Sequence, residues 1–481
     1  MPDLSRSHRG ATLAVVFLLM FLVSLDLSIV NVALPDIDAA FDFGPAELSW
    51  VLNAFTLPFA GLMLLGGRLA DITGRRTLLL SALTLFALSS AWGGAAQQGW
   101  ELLAGRAGQG VAAAVLAPMS LTLATSEFPE GRARSKAMAV WGGAGAAGGA
   151  VGVVLSGLLT DHLGWRWVMW VNVVFIVAAV VAVLRGVRDL APTRPHRIDA
   201  LGAALVTFGV SALVLGVIAT ERHDWGSAAV LGWFIGGAVA LGLFVGVEAR
   251  VADPLVPLGM LRSRSLVGAT VFGFLLVSAQ IASFFFVAQF LQRVLGYSAT
   301  ATGLAFLPFC AGVVVGLRIA MALVGRVGSA MVLLIGGLGG AIGLLWFSWA
   351  DPSTTFLGGI LGPSLLGSIG IGAAMVAMGT AAVSGVTTDR SGLASGILNC
   401  ARQLGGCLGL AALVAVATHT IGDRTDPAAL ANGYTTALQW GAVVLFAGTV
   451  LTFLILPPHR PTRTTAELES QVDRAGAEPT R

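Results

Sequence analysis

Apolar residues fill most of this chain in runs of about twenty, each closed by a short polar stretch, and about twenty helical residues at 1.5 Å apiece span the hydrocarbon core of a bilayer. The pattern predicts fourteen spanning helices, near residues 12–34, 47–68, 77–97, 101–123, 137–159, 166–185, 198–220, 227–248, 266–291, 300–324, 329–350, 356–379, 393–418 and 435–457. Lipid supplies no hydrogen bonds, so each run must satisfy its own backbone, and the expected fold is an all-α membrane protein. The first run holds Asp26, is long enough to span, and is followed by no small-residue cleavage site, so it reads as a helix and not as a cleaved leader.

The polar stretches set the orientation. Arg68, Arg75, Arg76, Arg132, Arg134, Lys136, Arg185, Arg188, Arg194, Arg197, Arg250, Arg262 and Arg264 fall in alternate loops. The opposite loops gather Asp36, Asp38, Asp42, Asp224, Asp351, Asp423 and Asp426 and hold few arginines. Basic loops stay inside, so both termini are expected in the cytoplasm of a multi-pass cell-membrane protein. Two Pro- and Arg-containing linkers, 187–199 and 249–265, bracket one helix pair. The expected division is an N-terminal six-helix bundle over 1–185, linkers with an inserted pair over 186–265, a C-terminal six-helix bundle over 266–457, and a disordered cytoplasmic tail over 458–481.

Composition agrees with the pattern. The 481 residues are 56% hydrophobic and 11% charged, too few charges to cover a soluble surface. Three cysteines, Cys310, Cys400 and Cys407, lack ligand-like spacing, so no metal is expected. The sole lysine, Lys136, follows Ser135, which excludes a phosphate-binding Gly-x-x-x-x-Gly-Lys loop and ATP binding through it on this chain. Gly143-x-Gly145-x-x-Gly148 matches a dinucleotide fingerprint in form, but it lies inside a span with no preceding strand. No cofactor, nucleic-acid partner or enzymatic activity is expected.

One loop carries Gly67-Arg68-Leu69-Ala70-Asp71-Ile72-Thr73-Gly74-Arg75-Arg76: an acid between glycines, then paired arginines. Gly74 permits a tight turn, and Asp71 near a helix end suits a neighbouring helix N-terminus. This loop resembles the signature of the major facilitator superfamily. Leu25-Asp26 through Pro35, Leu103 to Gly110 with Arg106 and Gln109, Gly164 to Trp167 with Asn172, and Asn399 to Gly406 with Arg402 resemble the motifs of its fourteen-helix drug:proton antiporters. The chain is similar to actinomycete exporters of the lincomycin- and methylenomycin-resistance kind. One departure stands out: where that subfamily's fifth-helix motif has Gly-Pro, this chain reads Gly152-Val153. In the second half the loop signature decays to Gly325-Arg326-Val327-Gly328.

Asp26 is a carboxylate deep in a span, where it costs about 2.5–3.5 kcal/mol on insertion scales, so it is the expected proton carrier. Ser24, Ser28 and Asn31 share one face of its helix, and Asp26 lies roughly opposite. Arg106 is its expected partner: at 1.5 Å per residue, the two lie about 12 Å and about 8 Å below the same membrane face. Asn31, Gln109, Gln280, Phe284, Phe285, Gln289, Trp346 and Arg402 are the candidate substrate contacts, sparse polar groups among apolar walls that suit an amphipathic organic molecule. The resemblance implies efflux of a drug or antibiotic against protons, conferring resistance. A facilitator importing a small nutrient, or a non-transporting receptor, uses the same architecture.

Overall fold

The computed structural model describes residues 3–456 except 130, 188–198, 221–222, 225, 252–253, 255, 257, 385, 387–390, 423 and 425; several further side chains, those of Gly67 and Asp71 among them, also lie outside the described set. The tail expected over 458–481 falls outside it entirely. Fourteen helical rods account for the rest: α1 Asp3–Phe41, α2 Pro45–Thr73, α3 Arg75–Ala95, α4 Gly99–Ser126, α5 Arg132–Leu163, α6 Arg166–Gly186, α7 Ala200–Ala219, α8 Ala228–Glu248, α9 Arg264–Val294, α10 Ala299–Val327, α11 Ser329–Phe347, α12 Phe356–Ser384, α13 Ser391–Ile421 and α14 Pro427–Ile455. Twelve of these have the length and apolar character to cross a membrane over their described residues, and α7 contributes a shorter apolar stretch, Leu201–Val217. Leu201, Leu243 and Leu454 point outward and exposed, as side chains facing lipid do. No strand occurs among the described residues.

The rods outrun the predicted spans. α1 continues through Pro35 to Phe41, so Asp36 and Asp38, read from the sequence as loop residues, stand on its last turns. The apolar run ends before the helix does, because a helix leaving the hydrocarbon keeps its own hydrogen bonds whatever its side chains.

The packing plan is used twice. In the first half α1 packs on α5 and α6, α2 on α4, and α3 on α4 and α6; in the second, α9 packs on α13 and α14, α10 on α12, and α11 on α12 and α14. The turns repeat as well. Gly74 between α2 and α3 has φ 86° and Gly328 between α10 and α11 has φ 85°, a region that only glycine enters without strain. The decayed second loop signature therefore keeps the residue its backbone needs.

Small residues set the tightest seams. A Cβ at Gly148 or Gly152 of α5 would collide with the Phe21 carbonyl or the Ser28 hydroxyl of α1; one at Gly405 or Gly409 of α13 would collide with Phe274 or Ser278 of α9. Ser28 Oγ donates to the Gly148 carbonyl at 3.4 Å, and Ser278 Oγ to the Gly405 carbonyl at 2.8 Å. The halves meet where α2 crosses α13 and where α5 crosses α10, while α7 lies over α2 and α13 and pairs with α8.

Candidate functional site

The buried charge sits inside the first bundle. Asp26 on α1 and Arg106 on α4 have no solvent exposure, and Arg106 Nη1 donates to Asp26 Oδ2 at 2.5 Å. Asn172 Nδ2 on α6 donates to Asp26 Oδ1 at 2.7 Å, and Gln109 Nε2 donates to the same oxygen at 3.2 Å. Gln109 Nε2 also reaches Ser90 Oγ on α3 at 2.8 Å, its Oε1 accepts from Arg106 Nη1 at 2.8 Å, and Arg106 Nε donates to the Val51 carbonyl on α2 at 3.0 Å. The guanidinium also lies 4.6 Å from the centre of the Phe55 ring, a cation–π contact. Five helices thus contribute to one hydrogen-bonded cluster around the carboxylate.

Three donors meet the Asp26 carboxylate, the guanidinium among them, and a charge that is both paired and hydrogen-bonded is how an ion pair survives in an apolar interior. Two atoms stay unmatched: Arg106 Nη2 and Asn172 Oδ1 have no hydrogen-bond partner among the described residues. The opposite face of α1 is packed too, with Ser28 on the α5 glycines.

The Asp26–Arg106 contact that depth along the helices permits is present, and Gln109, a candidate substrate contact, bonds to both members of the pair. Asn172 was noticed only as a motif residue, and Ser90 and the Val51 carbonyl not at all. Their side chains and carbonyls converge only through helix packing, although a polar Ser or Asn in an apolar run is itself a readable signal.

On the side carrying the α1–α2 turn, the halves are tied by polar contacts. Arg293 of α9 pairs with Asp38 of α1, and Gln292 Nε2 donates to the Val32 carbonyl at 2.9 Å. Asp161 at the end of α5 caps the start of α10, accepting from Thr300 N at 2.7 Å and Ala299 N at 3.2 Å. Val153, where the subfamily motif has proline, is buried close to this seam, its carbonyl facing Gly303 of α10. On the opposite side, Arg75 of the loop signature bridges to Glu127 at 3.0 Å and Ser126 Oγ at 3.1 Å, tying the start of α3 to the end of α4. Arg76 lies beside it at the start of α3, partly exposed.

The second bundle holds a cavity between α9, α10, α11 and α12. Phe284 stacks on Phe306 with ring centres 5.1 Å apart and meets Phe309 edge-on at 4.8 Å. Gln280, Ser283 and Ser364 are its polar wall. Of the expected substrate contacts, Gln280 and Phe284 line this space, and the others do not. Phe285 is buried edge-on against Phe286, Gln289 is buried with its Oε1 unpartnered, and Trp346 is 38% exposed with its ring over Gly362. The cavity takes the face of α9 that carries Gln280, Ser283, Phe284 and Val287, and Phe285 turns away from it. Asn31 donates to the Leu27 carbonyl of its own helix at 3.0 Å, and Arg402 lies on α13 against α9.

Comparison with known proteins gives this architecture a family. The Major Facilitator Superfamily model matches residues 16–410. The chain is 42% identical to the cephamycin export protein of Amycolatopsis lactamdurans, over 90% of this chain and 89% of that one. It is 35% identical to the puromycin resistance protein of Streptomyces alboniger, over 92% and 90%. With the lincomycin resistance protein of Streptomyces lincolnensis it shares 32% identity over 95% and 93%. Among solved structures, a POT family transporter in complex with a thioalcohol-conjugated peptide superposes with a TM-score of 0.70 at 13% identity, covering 93% of this chain and 95% of that one. The doubled helix plan, the glycine turns and these matches lead to one conclusion: the chain belongs to the Major Facilitator Superfamily, and its relatives include actinomycete antibiotic export and resistance proteins.

Proposed function

We propose that this protein exports an antibiotic or a similar small amphipathic organic molecule across the cell membrane in exchange for protons, and so confers resistance. The observation that carries the reading is the fully buried Asp26–Arg106 pair, held by groups from five helices. A charged pair in a membrane interior is costly and is kept where it works. When Asp26 takes a proton, its attraction for Arg106 falls and the amides of Gln109 and Asn172 re-pair, so one proton shifts how α1, α4 and α6 sit against each other. The functions of the relatives, cephamycin export and resistance to puromycin and lincomycin, support the direction and class of transport.

In this reading the arginine-rich loops face the cytoplasm, with both termini there, and the Asp38–Arg293 contacts close the outer face. The chain divides into bundles 1–185 and 266–457 around the inserted pair within 186–265. Gly67, Asp71, Gly74, Arg75 and Arg76 form the conformational loop of the first bundle. The test is expression in a susceptible host, scored as inhibitory concentrations over an antibiotic panel, followed by proton-driven uptake into inverted membrane vesicles. Protection that survives collapse of the proton gradient, or none against any antibiotic at normal expression, overturns the reading.

A further inference from the structure

Resting on the export reading above, we propose that the transported molecule is an organic anion, its acid group held by Arg402 and its apolar ring seated against Phe284, Phe306 and Phe309. Arg402, half-buried on α13, is a cation of the second bundle that the coupling cluster does not use. Its Nη1 reaches only Asn399 Oδ1, one turn back on α13, at 3.0 Å. Its Nε is buried with no acceptor, and no carboxylate pairs with it among the described residues. An isolated charge removed from water is costly unless a counter-charge meets it.

The repeat shows that the fold does not require this arginine. Gly405 of α13 and Gly148 of α5 play the same part in the two halves, each accepting a serine hydroxyl from the first helix of its bundle. Three residues before them stand Arg402 and Gly145. One half therefore packs this seam with glycine at the place where the other spends a guanidinium.

Arg402 and the aromatic cavity lie along one seam. At Gly273 of α9, a Cβ would touch both Arg402 Cγ at 3.0 Å and Met378 Sδ of α12 at 2.9 Å. Seven residues on from each of these positions toward the cavity, Gln280 of α9 and Ile371 of α12 line its wall. Seven residues are two turns on one helix face, so the two levels stand about 10 Å apart. Gln280 has no hydrogen bond to the protein among the described residues, and along α9 it stands between Gly273, which meets Arg402, and Phe284. A molecule with an acid at one end and a ring at the other meets a charge, an amide and an apolar wall in that order. A neutral molecule leaves Arg402 unpaired.

The test is binding to the intact protein in lipid nanodiscs, read by fluorescence of dansyl-γ-aminobutyrate and of its uncharged methyl ester. Wild type is expected to bind the acid about tenfold more tightly than the ester, one charge-assisted hydrogen-bonded pair. Arg402→Gln should bring the two affinities together, Arg402→Lys should keep part of the preference, and Phe284→Ala should weaken both probes alike. Equal affinities in wild type, or a full preference for the acid in Arg402→Gln, overturn the proposal. Failure of both probes to bind overturns it together with the ring subsite. None of these outcomes decides proton-coupled export, which the vesicle assay reads with an antibiotic.

Discussion

Asn172 Nδ2 and Asp26 Oδ1 stand 2.7 Å apart, joining α6 to α1 across a point with no access to solvent. With Arg106 on the other carboxylate oxygen, Asp26 is held from two sides, so its protonation state is felt by two neighbouring helices at once.

Asp26→Asn is expected to abolish uphill transport in inverted vesicles while protein remains in the membrane, since an amide cannot titrate. Asp26→Glu should retain part of the activity with a displaced pH optimum, because the longer side chain meets Arg106 at a different distance. Full gradient-driven transport by Asp26→Asn removes the proton role.

Arg106→Ala strands the Asp26 carboxylate with amide donors only, and breaking one side of a buried pair costs about 3–5 kcal/mol. The double variant Asp26→Asn/Arg106→Gln should lose much less. Thermal unfolding of the purified proteins in one detergent orders the three, and a double variant no more stable than Arg106→Ala contradicts the pairing energetics.

The Asp38–Arg293 contact is expected to act as a latch on the outer face. In a Cys310→Ala background, Thr300→Cys should be slow to react with an impermeant maleimide, because the backbone N–H of residue 300 stays tied to Asp161. Adding Arg293→Gln should speed labelling severalfold. The charge swap Asp38→Arg/Arg293→Asp should slow it again, and a swap as fast as the single variant argues against an ion-pair latch.

Gly405→Ala drives a methyl group into the Phe274 carbonyl and is expected to cost about 1–3 kcal/mol, as overpacked cores do. Gly142 of α5 has open space where a Cβ would stand, so Gly142→Ala should be neutral or mildly stabilising. Comparing melting temperatures of the two tests whether the glycines mark the seams.

Reporter fusions at Asp224 and at Arg194 should read opposite sides of the membrane, outside and inside. The same side for both would remove one helix of the inserted pair.

Much of this was legible in the chain itself. The apolar runs located all fourteen rods, because a span must be apolar along its length wherever lipid touches it. Asp26 stood out for the cost of a carboxylate there, and depth counted from the helix ends brought Arg106 to its level. Gly74 announced a turn. What the sequence could not place, Gln109 within the ion-pair cluster and Phe285, Gln289 and Trp346 outside the aromatic cavity, shares one cause: a helix apolar on all sides carries no stripe that tells which face meets a neighbour.

The sequence by itself determined that this is an all-helical membrane protein built from two related bundles, where its helices run and which residues are too costly to be idle. Those follow from hydropathy and from the electrostatic cost of a charge in lipid, both properties of a residue and its position along the chain. The tertiary structure alone decided that Asn172 and Ser90 join the Asp26 cluster, that Gln280 and Phe284 share a cavity with Phe306 and Phe309, and that Arg402 lies against α9 with no carboxylate partner among the described residues. Helix rotation and crossing depend on how small residues such as Gly148 and Gly405 let particular backbones approach, and such close fits between distant segments leave no periodic trace in either segment alone.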